Sequence, residues 1–286
     1  MRRKNKRLAA VLAAVIFSAA AFLSVVGALR PDIRYGVRMA LSEVSSGIKV
    51  KEVSPSQLEM KEIDLRDFEI NDDLILVNKD HPITDQEEFE KSLADYKGTG
   101  VLMNERAAAD YSAMSKAITD DTGHELWVMS SYRTEQEQQQ INEEQGSATA
   151  MPSGCSEHQT GLALDLYFTG YAGGSILRCE GGRYLADNCS QYGFIMRYPP
   201  AKEGVTGIEY EPWHYRYVGL PHSKIITSSG MTLEEYLDSL EEGKYYSYGD
   251  YILTRTVSDK VMVPEKSTVE ISRDNCGGYI VTSKVN

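Results

Sequence analysis

Five histidines stand in the 286 residues, at 81, 124, 158, 214 and 222, and two of them have carboxylates nearby at spacings that suit a metal. His158 lies in "SGCSEHQTGLALDLYF", residues 153–168, seven positions before Asp165, with Gly161 between them to permit a tight bend from loop into strand. His214 lies in "EPWHYRYVG", three positions after Glu211 and beside Trp213. A catalytic zinc takes three nitrogen or oxygen ligands, keeps a position open for water and needs a base nearby. His158, Asp165 and His214 fill the ligand roles and Glu211 that of the base, which must not itself be a ligand because it takes a proton from water and passes it to the leaving amine. A straight strand would send Glu211 and His214 to opposite faces, so this reading requires a bend at Pro212. Each residue alone also has an ordinary reading, a histidine as surface or core filler and a strand aspartate as the partner of an arginine. Spacing by itself does not bring the four together in space.

The elements that must position them follow from periodicity. "LALDLYF" alternates Leu162, Leu164, Leu166 and Phe168 on one face with Ala163, Asp165 and Tyr167 on the other, so a strand presents Asp165 away from the leucines. "ELWVMSSYR", residues 125–133, reads as a buried strand ending in polar Ser130 and Ser131, and "FIMRY" and "WHYRYVG" read as further strands. Helices are expected across "TDQEEFEKSLADY" with Thr84 and Glu87 as a capping box, across "NERAAADYSAMSKAITDDTG" closed by Gly123, and across "TEQEQQQINEEQG" stopped by Gly146. "RYLADNCSQYG" and "TLEEYLDSLEEG" extend the series. An apolar run in "LILVNKDHPI", residues 74–83, predicts the first strand of the folded body, ended by a turn at Pro82. The order mixes helix and strand without a repeated βαβ unit, which argues an α+β fold, a small central antiparallel sheet with flanking helices holding a single zinc site. The expected organisation is a basic tip and membrane helix over 1–29, a stalk with some helix over 30–70, the catalytic domain over 71–243 and a small β appendage of unassigned role over 244–286.

Charge and hydropathy restrict the partners. The net charge of −12 conceals five leading positives, Arg2, Arg3, Lys4, Lys6 and Arg7, and without them the remainder holds 25 basic against 42 acidic residues, near −17. Such a body repels nucleic-acid backbones, so no nucleic-acid partner is expected. The positives precede 22 uncharged residues, 8–29, long enough as a helix to cross a hydrocarbon core of about 30 Å. Basic residues before the span leave the N-terminus in the cytoplasm and the body outside, a single-pass cell-membrane protein. A leader cut at "SAAA" or "VGA" is the rival reading, and both export the body. Cys155, Cys179, Cys189 and Cys276 would then meet a disulfide-permissive compartment, where Cys179 with Cys189, flanking "EGGRYLADN", is the favoured pair and free thiols the alternative. There is no CxxC, which disfavours a cysteine zinc site.

"SSYRTEQEQ", "SGCSEHQTGLALDL" and "YEPWHYRYVG", in this order and at these separations, resemble the VanY-type zinc D-alanyl-D-alanine carboxypeptidases, part of a larger group of zinc peptidases of peptidoglycan metabolism. The resemblance spans about residues 70–240 and includes Ser-x-His-x-x-Gly-x-Ala-x-Asp, here Ser156 through Asp165, and Glu-x-x-His, here Glu211 through His214. It implies Zn2+ held by His158, Asp165 and His214, Glu211 as catalytic base and Arg133 beside the metal stabilising the scissile carbonyl. It further implies that Gln138 and Ser156 meet the substrate's terminal carboxylate. An ordinary Arg133 would instead pair with a helix carboxylate such as Glu137, and an ordinary Gln138 would be a solvated helix face. Cys155 departs from the serine or other small residue that relatives often carry there. The implied reaction removes the terminal D-alanine from peptidoglycan stem pentapeptides by water attack. It needs no serine nucleophile, so a serine-type enzyme is excluded and insensitivity to penicillin follows, and it erases the target of vancomycin-type antibiotics. An L,D-carboxypeptidase or D,D-dipeptidase on the same scaffold, and a non-catalytic wall-binding protein, are the alternatives. Glu211 argues against the last, because a binding module needs no base at that spacing.

Overall fold

Four antiparallel strands, in the order β6-β7-β9-β8, carry the residues singled out above: β6 (Leu126–Ser130), β7 (Ala163–Phe168), β8 (Phe194–Met196) and β9 (His214–Tyr217). The computed structural model describes residues 30–45, 50–146 and 151–286. The expected membrane span, 8–29, lies outside them, and among the described residues no helix is long and apolar enough to cross a membrane. The mixed α+β character holds.

One face of this sheet makes the main core. Leu162, Leu164, Leu166 and Phe168 are all buried, as the alternation of β7 requires. They pack against the helix Glu105–Thr122, whose Ala107, Tyr111, Met114 and Ile118 recur at helical period on one buried stripe. That helix begins where the Asn104 side chain accepts the Arg106 N–H and ends at left-handed Gly123, as its sequence predicts. Leu164 is fully buried, and replacing it by water-exposed surface would forfeit about 2 kcal/mol. A nine-residue helix, Glu180–Asn188, covers the far end of the same core.

The strand at 126–130 differs from its reading as buried. It is the edge of the sheet, so Trp127 and Met129 are half exposed while Leu126 alone is deeply covered. The helix expected from Thr84 to Tyr96 is a five-residue turn, Gln86–Glu90, with no side-chain bond at its cap. Its continuation pairs instead as a strand, β4 (Leu93–Asp95), with β5 (Leu102–Asn104), a tertiary pairing that overrides local helix propensity. Leu74–Val77 forms no strand. All four side chains are buried, and the backbone is satisfied by the 272–275 segment, where Ser272 Oγ accepts the Leu74 N–H at 2.9 Å and Asp274 O the Leu76 N–H at 3.1 Å.

Residues 30–70, read as a stalk, are folded onto the body where they are described. The helix Pro31–Ser45 buries Tyr35 in the main core and pairs Arg38 with Asp187. Three short strands then join the C-terminal region: β1 (Lys51–Val53) pairs β10 (Tyr245–Tyr248), β2 (Met60–Asp64) pairs β12 (Lys260–Pro264), and β3 (Ile70–Asn71) pairs β13 (Ser267–Arg273). Together with β11 (Tyr251–Thr256) and β14 (Tyr279–Val285) they build a six-stranded sheet and a two-stranded ladder from both ends of the described chain. Leu253 and Ile280 of this sheet share one core with Ile195, Val218, Leu233 and Tyr236, so the C-terminal strands pack directly onto the part of the chain that carries the four-stranded sheet. The segments read as stalk and appendage are thus paired with each other, a pairing between distant segments that local patterning does not register.

All four cysteines are free. Cys179 and Cys189 sit at opposite ends of the helix Glu180–Asn188, about 15 Å of helical rise apart and beyond the roughly 7 Å Cα separation a disulfide spans. The favoured pairing is therefore overturned by a helix where the glycines had suggested a tight excursion.

Candidate metal centre and catalytic site

His158 is delivered by a single helical turn, Glu157–Thr160, in which all four residues are buried. The turn closes at Gly161, φ +70°, where the chain reverses into β7. The His158 ring accordingly points inward with its Nδ1–H donated to the Ser131 carbonyl at 2.8 Å, which leaves Nε2 facing Asp165 Oδ2 at 3.3 Å. Asp165 and His214 are cross-strand partners in β7 and β9, and His214 Nδ1 lies 3.0 Å from Asp165 Oδ1. The donor atoms of His158, Asp165 and His214 all fall within 4.8 Å of one another. Two imidazole nitrogens and one carboxylate oxygen, each histidine's outer nitrogen turned to an acceptor, form a donor set that fits zinc with a position left open.

Glu211 reaches the same side as His214 because residues 211–214 make a turn, the His214 N–H donating to the Glu211 carbonyl at 3.2 Å. This is the bend that Pro212 was required to provide. The Glu211 carboxylate lies 3.9 Å from His214 Nδ1, and burial raises its pKa. Burial pushes the His158 imidazole down. Burial also disfavours the charged form of His214, but its hydrogen bonds to the Asp165 and Glu157 carboxylates outweigh it and raise this histidine to about 9. Burial would raise Asp165 too, yet the two histidines hold its carboxyl far below the usual range.

Arg133 is held beside this cluster, not by Glu137. Its Nε and Nη2 donate to Ser130 Oγ at 3.0 and 2.8 Å, its Nη2 lies 3.3 Å from Asp165 Oδ2, and its Nη1 reaches Gln138 Oε1 at 3.3 Å. Glu137 turns back onto Thr134 as the capping box of the helix Glu135–Gln145. Gln138 is buried, not a solvated face, and donates its amide to the Met151 carbonyl at 2.7 Å. Ser156 is buried immediately before the His158 turn. All seven predicted residues thus converge within one region, whereas His81, His124 and His222 lie outside it, in other contacts.

Sequence reasoning missed the layer behind the candidate ligands. Glu157 is 2% exposed, with Oε2 3.5 Å from His214 Nε2, and its Oε1 accepts from Arg197 Nε at 2.7 Å and Arg216 Nη1 at 3.0 Å. The Tyr198 ring lies 4.9 Å from that of His214. The available signal was charge inside apolar runs, Arg197 after "FIM" and Arg216 between two tyrosines, since a buried arginine demands a carboxylate.

Residues 100–220 match the family VanY, D-alanyl-D-alanine carboxypeptidase. A D-alanyl-D-alanine carboxypeptidase of Enterococcus faecium is 36% identical over 232 residues, 73% of this chain and 74% of its own. The bifunctional D-Ala-D-Ala dipeptidase and D-Ala-D-Ala carboxypeptidase VanXYC of Enterococcus gallinarum is 40% identical over 187 residues, 59% of this chain and 95% of its own. Among solved structures, the vancomycin resistance D,D-dipeptidase VanXYg in complex with a D-Ala-D-Ala phosphinate analog has a TM-score of 0.62 at 28% identity, covering 79% of this chain and 98% of that one. A vancomycin resistance D,D-pentapeptidase VanY from the VanB-type cassette, in complex with Zn(II), has a TM-score of 0.51 at 34% identity, covering 58% of this chain and 98% of that one.

Proposed function

The chain belongs to the VanY family of zinc D,D-carboxypeptidases, and from that premise we propose that His158, Asp165 and His214 hold the zinc and that Glu211 and Arg133 carry the reaction on the terminal D-Ala-D-Ala amide of peptidoglycan stem pentapeptides. What supports this assignment is one observation: three donor atoms converge within 4.8 Å, with the Glu211 carboxylate 3.9 Å from one of them. Bound there, zinc supplies Lewis acidity toward the scissile carbonyl and makes water more acidic. Glu211 takes the proton of the attacking water and returns it to the leaving D-alanine amine. Arg133, fixed through Ser130 and Gln138, holds its guanidinium where negative charge develops on the carbonyl oxygen. Ser156 and Gln138 meet the terminal carboxylate, Gln138 exchanging its Met151 carbonyl partner for a carboxylate oxygen. Loss of the terminal D-alanine removes the vancomycin target, so the activity contributes to glycopeptide resistance. The uncharged run over 8–29 supports a membrane anchor with the body on the extracytoplasmic side, where the stem peptides are.

A second reading, D,D-dipeptidase activity at the same site, is favoured by the breadth of the likeness to VanXYg and by the bifunctional VanXYC. One assay separates the readings: product analysis on pentapeptide, tetrapeptide and free D-Ala-D-Ala with the full-length chain and Glu211→Gln, bound zinc being measured in both. The expected result is D-alanine release from the pentapeptide, and a variant that keeps zinc while kcat falls about 10²- to 10⁴-fold. Release from the tetrapeptide alone would move the assignment to an L,D-carboxypeptidase, and release from the free dipeptide alone to a D,D-dipeptidase. Full zinc with no release from any of the three would favour wall binding without turnover.

A further inference from the structure

A histidine that gives one ring nitrogen to a metal must keep its proton on the other, and that proton needs an acceptor. The two histidines of this site meet the requirement differently. His158 uses a backbone carbonyl, that of Ser131. His214 turns Nδ1 toward Asp165 and leaves Nε2 facing a carboxylate, Glu157, at 3.5 Å. The neighbouring residues Glu157 and His158 therefore address both histidines from a single turn, one as the acceptor behind the second ring and the other as the first ring itself. The His214 ring is also flanked by Tyr198 and His158, at centroid distances of 4.9 and 5.0 Å, which leaves little room for it to turn over.

We infer that Glu157 is a positioning residue of the metal centre, a buried anionic acceptor that fixes the His214 tautomer with the proton on Nε2 and strengthens Nδ1 as a donor. This rests on His214 being a zinc ligand. A carboxylate 2% exposed is strongly unfavourable unless paired, and here it is paired twice: Arg197 and Arg216, themselves 1% and 0% exposed, both donate to its Oε1. Arg197 donates from Nη1 and Nη2 to Glu234, at 2.8 and 2.6 Å, and Arg216 from Nε and Nη2 to the Tyr217 and Asp73 carbonyls. Two guanidinium groups face two carboxylates in this buried cluster, so the Glu157 carboxylate is paired by protein groups alone. Oε1 is consumed by the arginines and Oε2 is the oxygen left for His214. A purely structural ion cluster would not need to aim that oxygen at a metal ligand.

The test measures zinc affinity by competition with a chelating chromophore in the full-length protein, its Glu157→Gln, Glu234→Gln and His214→Ala variants, and the cobalt-substituted spectrum of the first three. Glu157→Gln is expected to bind zinc about 10- to 100-fold more weakly with a shifted cobalt spectrum. Glu234→Gln, which loosens the same cluster without touching His214, is expected to lose thermal stability and keep both metal readouts. A folded Glu157→Gln with wild-type zinc affinity and cobalt spectrum overturns the inference, as does an equal effect from Glu234→Gln. Should Glu157→Gln fail to fold, nitrogen-15 NMR of the zinc-loaded wild type decides: a proton on His214 Nε2 supports the inference, and one on Nδ1 overturns it. Unchanged zinc binding in His214→Ala would instead overturn the metal-centre reading on which the inference stands.

Discussion

Gly161 closes the turn that delivers His158 to the candidate metal centre, so its replacement strains backbone and site together. The residue sits at φ +70° directly after the His158 turn, and a Cβ there would stand 2.5 Å from Leu93 Cδ2 and 2.9 Å from the Asn104 backbone nitrogen. Leu93 can swing its methyl away. Asn104 cannot yield as easily, because its N–H donates to the Gly161 carbonyl at 2.9 Å and its side chain caps the helix beginning at Glu105. Gly123 supplies the control: it has the same φ of +70° with nothing within 4 Å of the added carbon. Gly123→Ala therefore isolates the cost of left-handed backbone, about 1 kcal/mol. Gly161→Ala adds overpacking of about 1–3 kcal/mol, for a total of about 2–4 kcal/mol. Relief comes by moving the turn, which carries His158 with it, and each 1.4 kcal/mol of misplacement weakens zinc binding about tenfold. Urea unfolding of the metal-free proteins and chelator competition for zinc read the two effects. The expected pattern is a larger loss of stability in Gly161→Ala than in Gly123→Ala, with zinc affinity falling roughly 10- to 100-fold in the former alone. Equal destabilisation by the two substitutions, or unaltered zinc affinity in Gly161→Ala, would refute the reasoning.

Two further outcomes are expected away from the site. His222 is buried with Nδ1 2.6 Å from Tyr236 Oη and Nε2 2.9 Å from Thr282 Oγ1, and burial pushes its pKa down to about 3 from 6.5. Folded His222 stays neutral while unfolded His222 protonates, so its contribution is complete above pH 6.5 and lost as pH falls toward 3, by about 1.4 kcal/mol per pH unit. His222→Gln should flatten the pH dependence of the urea midpoint between pH 6.5 and 4 relative to wild type. Taking the difference cancels Asp73, which burial pushes up to about 6 and which titrates in the same window with the opposite sign; parallel curves for the two proteins would refute the assignment. Deleting residues 244–286 should abolish cooperative unfolding, because it uncovers Ile195, Val218 and Leu233, each worth on the order of 1 kcal/mol or more, and leaves the strands at 51–71 unpaired. A truncated protein that unfolds cooperatively and binds zinc would show that the C-terminal strands form a separable unit.

What the sequence made legible was what spacing encodes. The seven-residue interval between His158 and Asp165 could be read because it holds one turn, one glycine and two residues of strand, each with a local signature. The capping box at Thr134 and Glu137, the helix stop at Gly123 and the alternation of β7 are equally local. The strand at 126–130 was placed correctly but its exposure was not, since Trp127 and Met129 look the same in sequence on an edge as in a centre. Leu74–Val77 shows the reverse case, a run apolar enough to be a strand whose four side chains are buried without any ladder. Its hydrogen bonds go to Ser272 and Asp274, nearly two hundred residues away, and nothing within the run records them.

The same distinction explains why the candidate ligands stand out in the sequence and the residues behind them do not. A ligand must be one of a few residue types, and five histidines narrow the search to a handful of sets. A support need only accept or donate a hydrogen bond, so Ser130, the Ser131 carbonyl and Glu157 carry no type that marks them. What does mark Glu157 is a conflict: it and two arginines occupy positions where burial should have selected apolar side chains. Replacing a buried ion pair by hydrophobic residues of similar volume often holds a fold as well or better. Glu157, Arg197 and Arg216 are different, since the anion that both arginines stabilise faces His214. Buried charge that could be exchanged for leucine at no loss of stability, but not at no loss of metal affinity, is the physical signature by which a site's supports can be told from its scaffold.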